Sequence, residues 1–438
     1  VKTVLFHPRT LHEKNYSAFW LPYSTLSVGS AVSSQGDVAM IDNNLDQSDS
    51  HRAVIEACAD ADVLGISVMI GHQVKEAMQV AEAVKQHRPD IKIVVGGAMA
   101  TMMPRELLTH AAFDYIVRGQ GAITLVEILD RLKCGSTDFS SIVGLNYRIA
   151  DGVIDNPNRP VVSQDKLPPY DFTLIDPRPY IKPDGKIGTK TLNYVASQGC
   201  PFDCGFCSDT NLFDRKWSAS PAERTANDVA MLVEKFGVNG IKFYDSNFFV
   251  RPALSLEYAQ LVLKKGMDIR WGGAIHPATF LTLKEEQLAT FERSGCSRLL
   301  IGAESGSEEV LKLVGKRLDP SDMVEIAKRA SRHNMSVSFT MIIGFPGVAD
   351  SHYDETFNLG AQLRQVDSRH EVKIHIYAPY PMTRLYPVAV AHGFKPPTTL
   401  AEWGDYDYYY IQTPWVPKEM EVRAREFNVD NSSAVEKV

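Results

Sequence analysis

The chain has 438 residues, 44% hydrophobic and 23% charged, with 46 Lys and Arg against 53 Asp and Glu. That balance excludes a disordered or collagen-like chain, and a net charge of −7 argues against nonspecific binding to nucleic acid or an anionic membrane. Six cysteines are too few for a disulfide framework; Cys200, Cys204 and Cys207 fall so close together that reduced thiols and a metal are indicated.

At roughly 150 residues per domain, the length suggests two or three domains. No segment reads as membrane-spanning, and the opening VKTVLFHPRT is too short an apolar run for a signal-peptide core, so a soluble cytoplasmic protein is expected. Residues 1–135 alternate strand-like runs, TVLFH (3–7), VAMID (38–42), VLGISV (63–68), IKIVVGG (91–97) and DYIVRG (114–119), with helical segments. Short β-branched runs separated by helices imply buried parallel strands, here a doubly wound, Rossmann-like sheet of about five strands. Residues 136–190 read as an ordered linker, with a hairpin turning at Ala150-Asp151-Gly152 and a Pro-rich stretch behind it.

Residues 191–395 resume the alternation, with strands LNYVAS (192–197), GIKFYDS (240–246), IRWGGAI (269–275), RLLIGAES (298–305), SVSFTMIIG (336–344) and KIHIYAP (373–379). Six β/α units predict an α/β partial (β/α)6 barrel, since a closed eight-fold barrel needs about 250 residues. Ser220-Pro221-Ala222-Glu223 predicts a capping box with Pro at the first helical position. Residues 396–438 form an aromatic-rich C-terminal segment that loses periodicity and turns polar.

The strongest chemical signal is SQGCPFDCGFC, which follows a strand. Three thiolates in one loop can ligate three irons of a 4Fe-4S cluster and leave the fourth iron open to chelate a substrate. Zinc would want a fourth ligand at comparable spacing, and Cys296 and the histidines are far off in sequence. In the first domain, Ser67 ends one buried strand and Gly96-Gly97-Ala98 ends the next, while VRGQG, with Gly119 and Gly121, closes a third. Glycines there let a bulky group approach the backbone, and ligands of open α/β sheets collect outside strand carboxyl ends. A nicotinamide-dinucleotide domain would carry GxGxxG after the first strand, and none is present.

The CxxxCxxC loop with Phe206 before its last cysteine, followed in order by YDSNFF (244–249), IGAESGS (301–307) and MIIGFPG (341–347), resembles the radical S-adenosylmethionine (SAM) superfamily. The resemblance implies that the open iron binds the amino and carboxylate groups of SAM, which is cleaved reductively to a 5′-deoxyadenosyl radical. It places Phe206 and Gly344 near the adenine, Tyr244, Asp245 and Ser246 at the amino group, and Glu304 and Ser305 at the ribose and carboxylate. The first domain resembles the cobalamin-binding domain of methionine synthase and of B12-binding radical SAM enzymes, the class B methyltransferases among them. Ser67, Met69, Gly71, His72, Gly96, Gly97, Ala98, Thr101, Gly119 and Gly121 are then the implied cobalamin-binding residues. No DxHxxG motif is found, so no cobalt ligand is implied, although His72 could approach the corrin.

Over residues 1–395 the resemblance implies a C-methyltransferase acting on an unactivated carbon of a small molecule. One SAM methylates cob(I)alamin and a second supplies the radical, with electrons from an external flavodoxin- or ferredoxin-type donor; a monomer is expected. A ring-forming, oxidative or rearranging enzyme with the same cofactors is the alternative. A non-catalytic corrinoid or Fe-S carrier is disfavoured by the open iron. By position alone His276, Tyr377 and Tyr380 are candidate acid or base groups. Trp403, Tyr406, Tyr408, Tyr409, Tyr410 and Trp415 either wall a substrate pocket or pack as a cover.

Overall fold

The computed structural model describes residues 1–10, 20–45, 51–406 and 413–432. The chain divides into two compact units, Val1–Tyr180 with Pro396–Ile411, and Ile181–Lys395 with Gln412–Val438.

In the first unit β1 (Thr3–His7), β2 (Val38–Asp42), β3 (Val63–Ser67), β4 (Lys92–Gly96), β5 (Tyr115–Val117), β6 (Leu145–Ile149) and β7 (Gly152–Asp155) form one sheet in the order β2-β1-β3-β4-β5-β6-β7. The first five strands run parallel. Helices such as Tyr23–Val32 and His72–His87 cross between them, as parallel pairing requires. The expected hairpin joins this same sheet as two antiparallel strands, extending it from five to seven. Tyr147 lies opposite Tyr115, and Phe139 packs against both at ring distances of 5.9 and 4.9 Å, which ties the hairpin to β5.

Part of the C-terminal segment returns to this unit. Thr399 caps the short helix Leu400–Gly404, Trp403 and Tyr406 are buried, and the Gly71 N–H donates to the Trp403 carbonyl at 3.1 Å. Trp403 and Tyr406 are therefore packing residues beside the start of helix His72–His87. Tyr408, Tyr409 and Tyr410 lie outside the described residues.

In the second unit β8 (Lys182–Asp184), β9 (Gly188–Tyr194), β12 (Gly240–Phe243), β13 (Arg270–Ala274), β14 (Cys296–Glu304), β15 (Ser336–Ile343) and β16 (Glu371–Ile376) form a seven-stranded sheet. Six strands are parallel and β8 is an antiparallel edge. A separate two-stranded ribbon pairs β10 (Ser197–Gly199) with β11 (Trp217–Ala219). The large sheet is curled. Asp184 on edge strand β8 reaches Arg298 on β14 at 3.3 Å, and Arg298 reaches Glu371 on edge strand β16 at 2.7 Å. In a flat sheet β8 and β14 would stand roughly 19 Å apart, at about 4.8 Å per strand. Outside the curl, Phe243, Phe248, Tyr258, Trp271 and Phe291 interlock under the helices as edge-to-face rings.

Two local expectations differ. Helix Ala222–Phe236 starts with Pro221 at the cap and no side-chain capping bond, because Ser220 belongs to the strand side, its N–H donating to Ala196 O at 2.8 Å. A helix, Lys418–Ser432, occupies the stretch that lacked periodicity. It is held by tertiary contacts: Asn428 bonds both N–H and C=O of Ile374 at 2.8 Å, filling edge positions of β16, and Phe427 lies 3.6 Å from the Arg364 guanidinium. Among the described residues no helix is long and apolar enough to cross a membrane.

Candidate functional site

The cysteine loop leaves β10 through Gly199, whose φ of +80° and proximity to Lys216 O (2.1 Å from a would-be Cβ) require glycine. At the loop's centre the Gly205 N–H donates to Val314 O at 2.8 Å, and its carbonyl accepts from Leu385 N at 3.0 Å. Cys200, Cys204 and Cys207 are half-buried free thiols. Burial pushes Cys204 up to about 11 and Cys207 to about 12, and the sister thiols of the loop add to both shifts, so the three sulfurs lie within electrostatic reach of one another. Three adjacent soft donors on one loop fit a cubane cluster, which takes each thiolate on a different iron and deprotonates it. Among the described residues no three His, Cys, Asp or Glu side chains converge on a single-ion position.

The residues expected around SAM lie at the carboxyl ends of the neighbouring strands. Phe206 packs 5.6 Å from Phe345 of the GFPG turn, and Phe345 lies 5.3 Å from Tyr377, making an aromatic row. Tyr244 is about half exposed, with its N–H donating to Tyr194 O at 2.8 Å. Asp245 is buried; its carboxylate accepts from the Ala196 N–H at 3.1 Å and from the Ser197 hydroxyl. Burial outweighs these bonds and pushes Asp245 up to about 7. Its side chain thus steadies the approach to the cysteine loop. The Ser246 hydroxyl donates to Asp209, whose pKa burial raises.

Glu304 sits at a register shift in β14 with φ +60°, a left-handed conformation uncommon outside glycine and a mark of strain held by its surroundings. What holds it is a buried ion pair with Lys316 at 2.6 Å. Ser305 shares a hydrogen bond with Thr356 at 2.9 Å and accepts from the Ser307 N–H at 3.1 Å. Gly344 has φ +80°, and its carbonyl accepts from Trp415 Nε1 at 2.9 Å. Trp415 therefore packs on the glycine turn.

His276 follows β13 and caps helix Pro277–Thr282, its Nδ1 accepting from Ala278 N–H at 3.2 Å. Its ring stacks on Phe202 of the cysteine loop at 3.5 Å, and burial together with the Lys316 charge pulls it down to about 3. It is a neutral brace between β13 and that loop, too weakly basic to take a proton near neutral pH. Tyr377 is buried, which pushes its phenol up; Tyr380 is partly exposed in the following turn.

In the first unit the expected cobalamin residues gather at the carboxyl ends of β3, β4 and β5. Ser67 Oγ lies 3.3 Å from Ser24 Oγ, and Met69 is more than half exposed. Gly71 (φ +109°) precedes helix His72–His87, which begins with His72. Gly97 follows Gly96 with φ +98°, and a Cβ there would sit 2.5 Å from Val68 O. Ala98 opens helix Ala98–Met102; Thr101 Oγ1 donates to Gly97 O at 3.1 Å and accepts from the Gly119 N–H at 2.8 Å, tying the β4 and β5 loops together. A Cβ at Gly119 would meet nothing within 4 Å, and Gly121 starts the next helix. This open, glycine-rich edge suits a bulky planar ligand.

Sequence reasoning missed several partners. Lys316, buried beyond a short helix, carries no periodic signal. Nor does the buried Glu76 network, where Asn43 donates at 2.6 Å, Arg9 Nε at 3.0 Å and His51 Nε2 lies 3.5 Å away. Burial alone would raise Glu76, but contacts from His51, Arg9 and Asn43 hold it at about 2.

Residues 194–360 match the family model of the radical SAM superfamily, and residues 15–129 match that of the B12 binding domain. The chain thus carries a radical SAM domain and a B12-binding domain. It is 28% identical over 376 residues to the uncharacterized methyltransferase PH0819 of Pyrococcus horikoshii, spanning 85% of this chain and 79% of that one. It is 23% identical over 375 residues to the anaerobic magnesium-protoporphyrin IX monomethyl ester cyclase of Synechocystis, spanning 84% and 72%. The fold is shared with the radical SAM methyltransferase TsrM of Kitasatospora setae, solved with cobalamin and a 4Fe-4S cluster, at a TM-score of 0.71 and 16% identity over 88% of this chain and 77% of that one.

Proposed function

We propose that the protein is a cobalamin-dependent radical SAM enzyme that methylates an unactivated carbon of a small molecule. The observation that carries this reading is the three-thiol loop at the carboxyl end of the first half-barrel strand, in a chain that also has a B12-binding domain. A cluster and a corrinoid held here would supply, respectively, the electron that cleaves SAM and the methyl group for the substrate.

The chain's own part is placement. Cys200, Cys204 and Cys207 hold the cluster on a loop braced by His276, Asp245 and the Gly205 backbone. Phe206, Tyr244, Ser246, Glu304, Ser305 and Gly344 line the SAM site, with the Lys316 ammonium neutralising Glu304. Ser67, Met69, Gly71, His72, Gly96, Gly97, Ala98, Thr101, Gly119 and Gly121 hold the corrinoid. An external low-potential donor of flavodoxin or ferredoxin type, a reducing cytoplasmic setting and a monomer complete the proposal.

Anaerobic reconstitution followed by iron, sulfide and cobalt counts, then assay for 5′-deoxyadenosine, tests the cofactor set. A centre capped by sulfur on every iron would sink it. The cyclase relative, matching 84% of the chain, favours a ring-forming outcome as the second reading. Product mass separates them: a gain of CH2 marks methylation, and a loss of hydrogens marks ring closure.

A further inference from the structure

The concave face of the curled sheet has a distinct chemistry. On β14 Leu299, Ile301 and Ala303 are buried towards the outer layer, so Arg298, Leu300 and Gly302 face inwards. The same alternation turns Thr340 and Ile342 of β15 inwards, and Glu371, Lys373 and His375 of β16. Register places Gly302, Thr340 and Lys373 side by side in one row. The space over Gly302 is taken by the Glu304 carboxylate and the Lys316 ammonium, but Thr340, directly beside Lys373, is short and leaves the Lys373 side chain exposed.

At the base of this face, two carboxylates meet two cations. Asp184 is taken by Arg298 (3.3 Å) and Lys242 (3.7 Å), and Glu371 by Arg298 (2.7 Å). Lys373 is exposed and has no hydrogen-bond or ion-pair partner among the described residues. After burial, its charge is among the causes lowering Lys242 and His375. On the same face Leu300 is 44% exposed, and Ile342 lies two residues beyond Thr340 on the neighbouring strand.

We propose that Lys373 is a specificity residue that pairs with the carboxylate of an organic acid whose apolar body rests on Leu300 and Ile342. This rests on the half-barrel being the reaction chamber and names the substrate class of that chamber: a small apolar carboxylic acid. A cation beside apolar surface that pairs with no acid among the described residues is matched by one anion on an apolar frame.

The test is calorimetry of the reconstituted holoprotein with phenylbutyrate and its neutral amide, phenylbutyramide, as probes. The wild type is expected to prefer the acid by about tenfold. Lys373→Met should erase the preference while leaving amide binding in place, and Lys373→Arg should keep it. Equal affinities in the wild type, no acid binding, or a preference that survives Lys373→Met would overturn the proposal. So would competition between acid and SAM, because the cation would then serve the SAM carboxylate. Iron, sulfide and cobalamin contents of each preparation are read separately, so a failure of the cofactor assignment is distinguishable from a failure of the acid preference.

Discussion

At the carboxyl ends of β3, β4 and β5 the first unit presents Ser67, Gly97 and Gly119: a hydroxyl and two positive-φ glycines tied together through Thr101. At the corresponding ends in the second unit stand three thiols, the Glu304–Lys316 pair and the Phe206–Phe345–Tyr377 row. One edge is made of backbone and the other of side chains. A backbone edge accepts a large ligand by leaving side chains out, and it is sensitive to added volume. A side-chain edge is sensitive to lost charge or lost donors.

That contrast can be broken at its strongest point first. Replacing Cys200, Cys204 and Cys207 together by Ala should abolish cluster absorbance and SAM cleavage, at least about a hundredfold in rate, while cobalamin content stays at the wild-type level. Anaerobic absorbance and 5′-deoxyadenosine assays read the first, and cobalt analysis the second. Simultaneous loss of cobalamin would show that the two edges are not separable.

Next in size is Lys316→Met, which strands the buried Glu304 carboxylate and should cost about 3–5 kcal/mol in denaturant unfolding. Adding Glu304→Gln should restore most of that loss; no recovery would mean the pair is not what holds the strained turn.

The buried carboxylates of the two units point in opposite directions. Asp245 titrates near 7 when folded against an ordinary 3.8, so its contribution is fully present below 3.8 and is lost as pH rises through about 7. Glu76 titrates near 2 against an ordinary 4.5, so its contribution is present above 4.5 and is lost as pH falls towards about 2. Each is worth up to about 3–4 kcal/mol at 1.36 kcal/mol per pKa unit. Denaturation midpoints across pH should lose their decline between 3.8 and 7 in Asp245→Asn, and their rise between 2 and 4.5 in Glu76→Gln. Identical pH profiles for wild type and variant would refute the corresponding environment.

The smallest effect sharpens the backbone edge itself. Gly97→Ala combines a left-handed φ with a Val68 carbonyl 2.5 Å away and should cost about 2–3 kcal/mol and weaken cobalamin retention. Gly119→Ala meets no atom within 4 Å and should cost about 1 kcal/mol from its φ alone. Equal penalties, read by urea titration, would show that close packing is not the cause.

Much of this molecule was legible as a string. The β/α alternation located β1 and β2 residue for residue and the six half-barrel strands to within a few, because buried parallel strands need runs of β-branched residues whatever surrounds them. Three cysteines spaced on one glycine-bearing loop announced a cluster, since that chemistry is local. Contacts between residues distant in sequence were not legible. The Glu304–Lys316 pair, His276 as a neutral brace on Phe202, the hairpin that widens the first sheet and Asn428 filling the edge of β16 all depend on where other segments arrive. Local pattern reports which backbone a segment prefers and which donors it carries; only the folded chain decides which charges find partners and which, like Lys373, find none among the described residues.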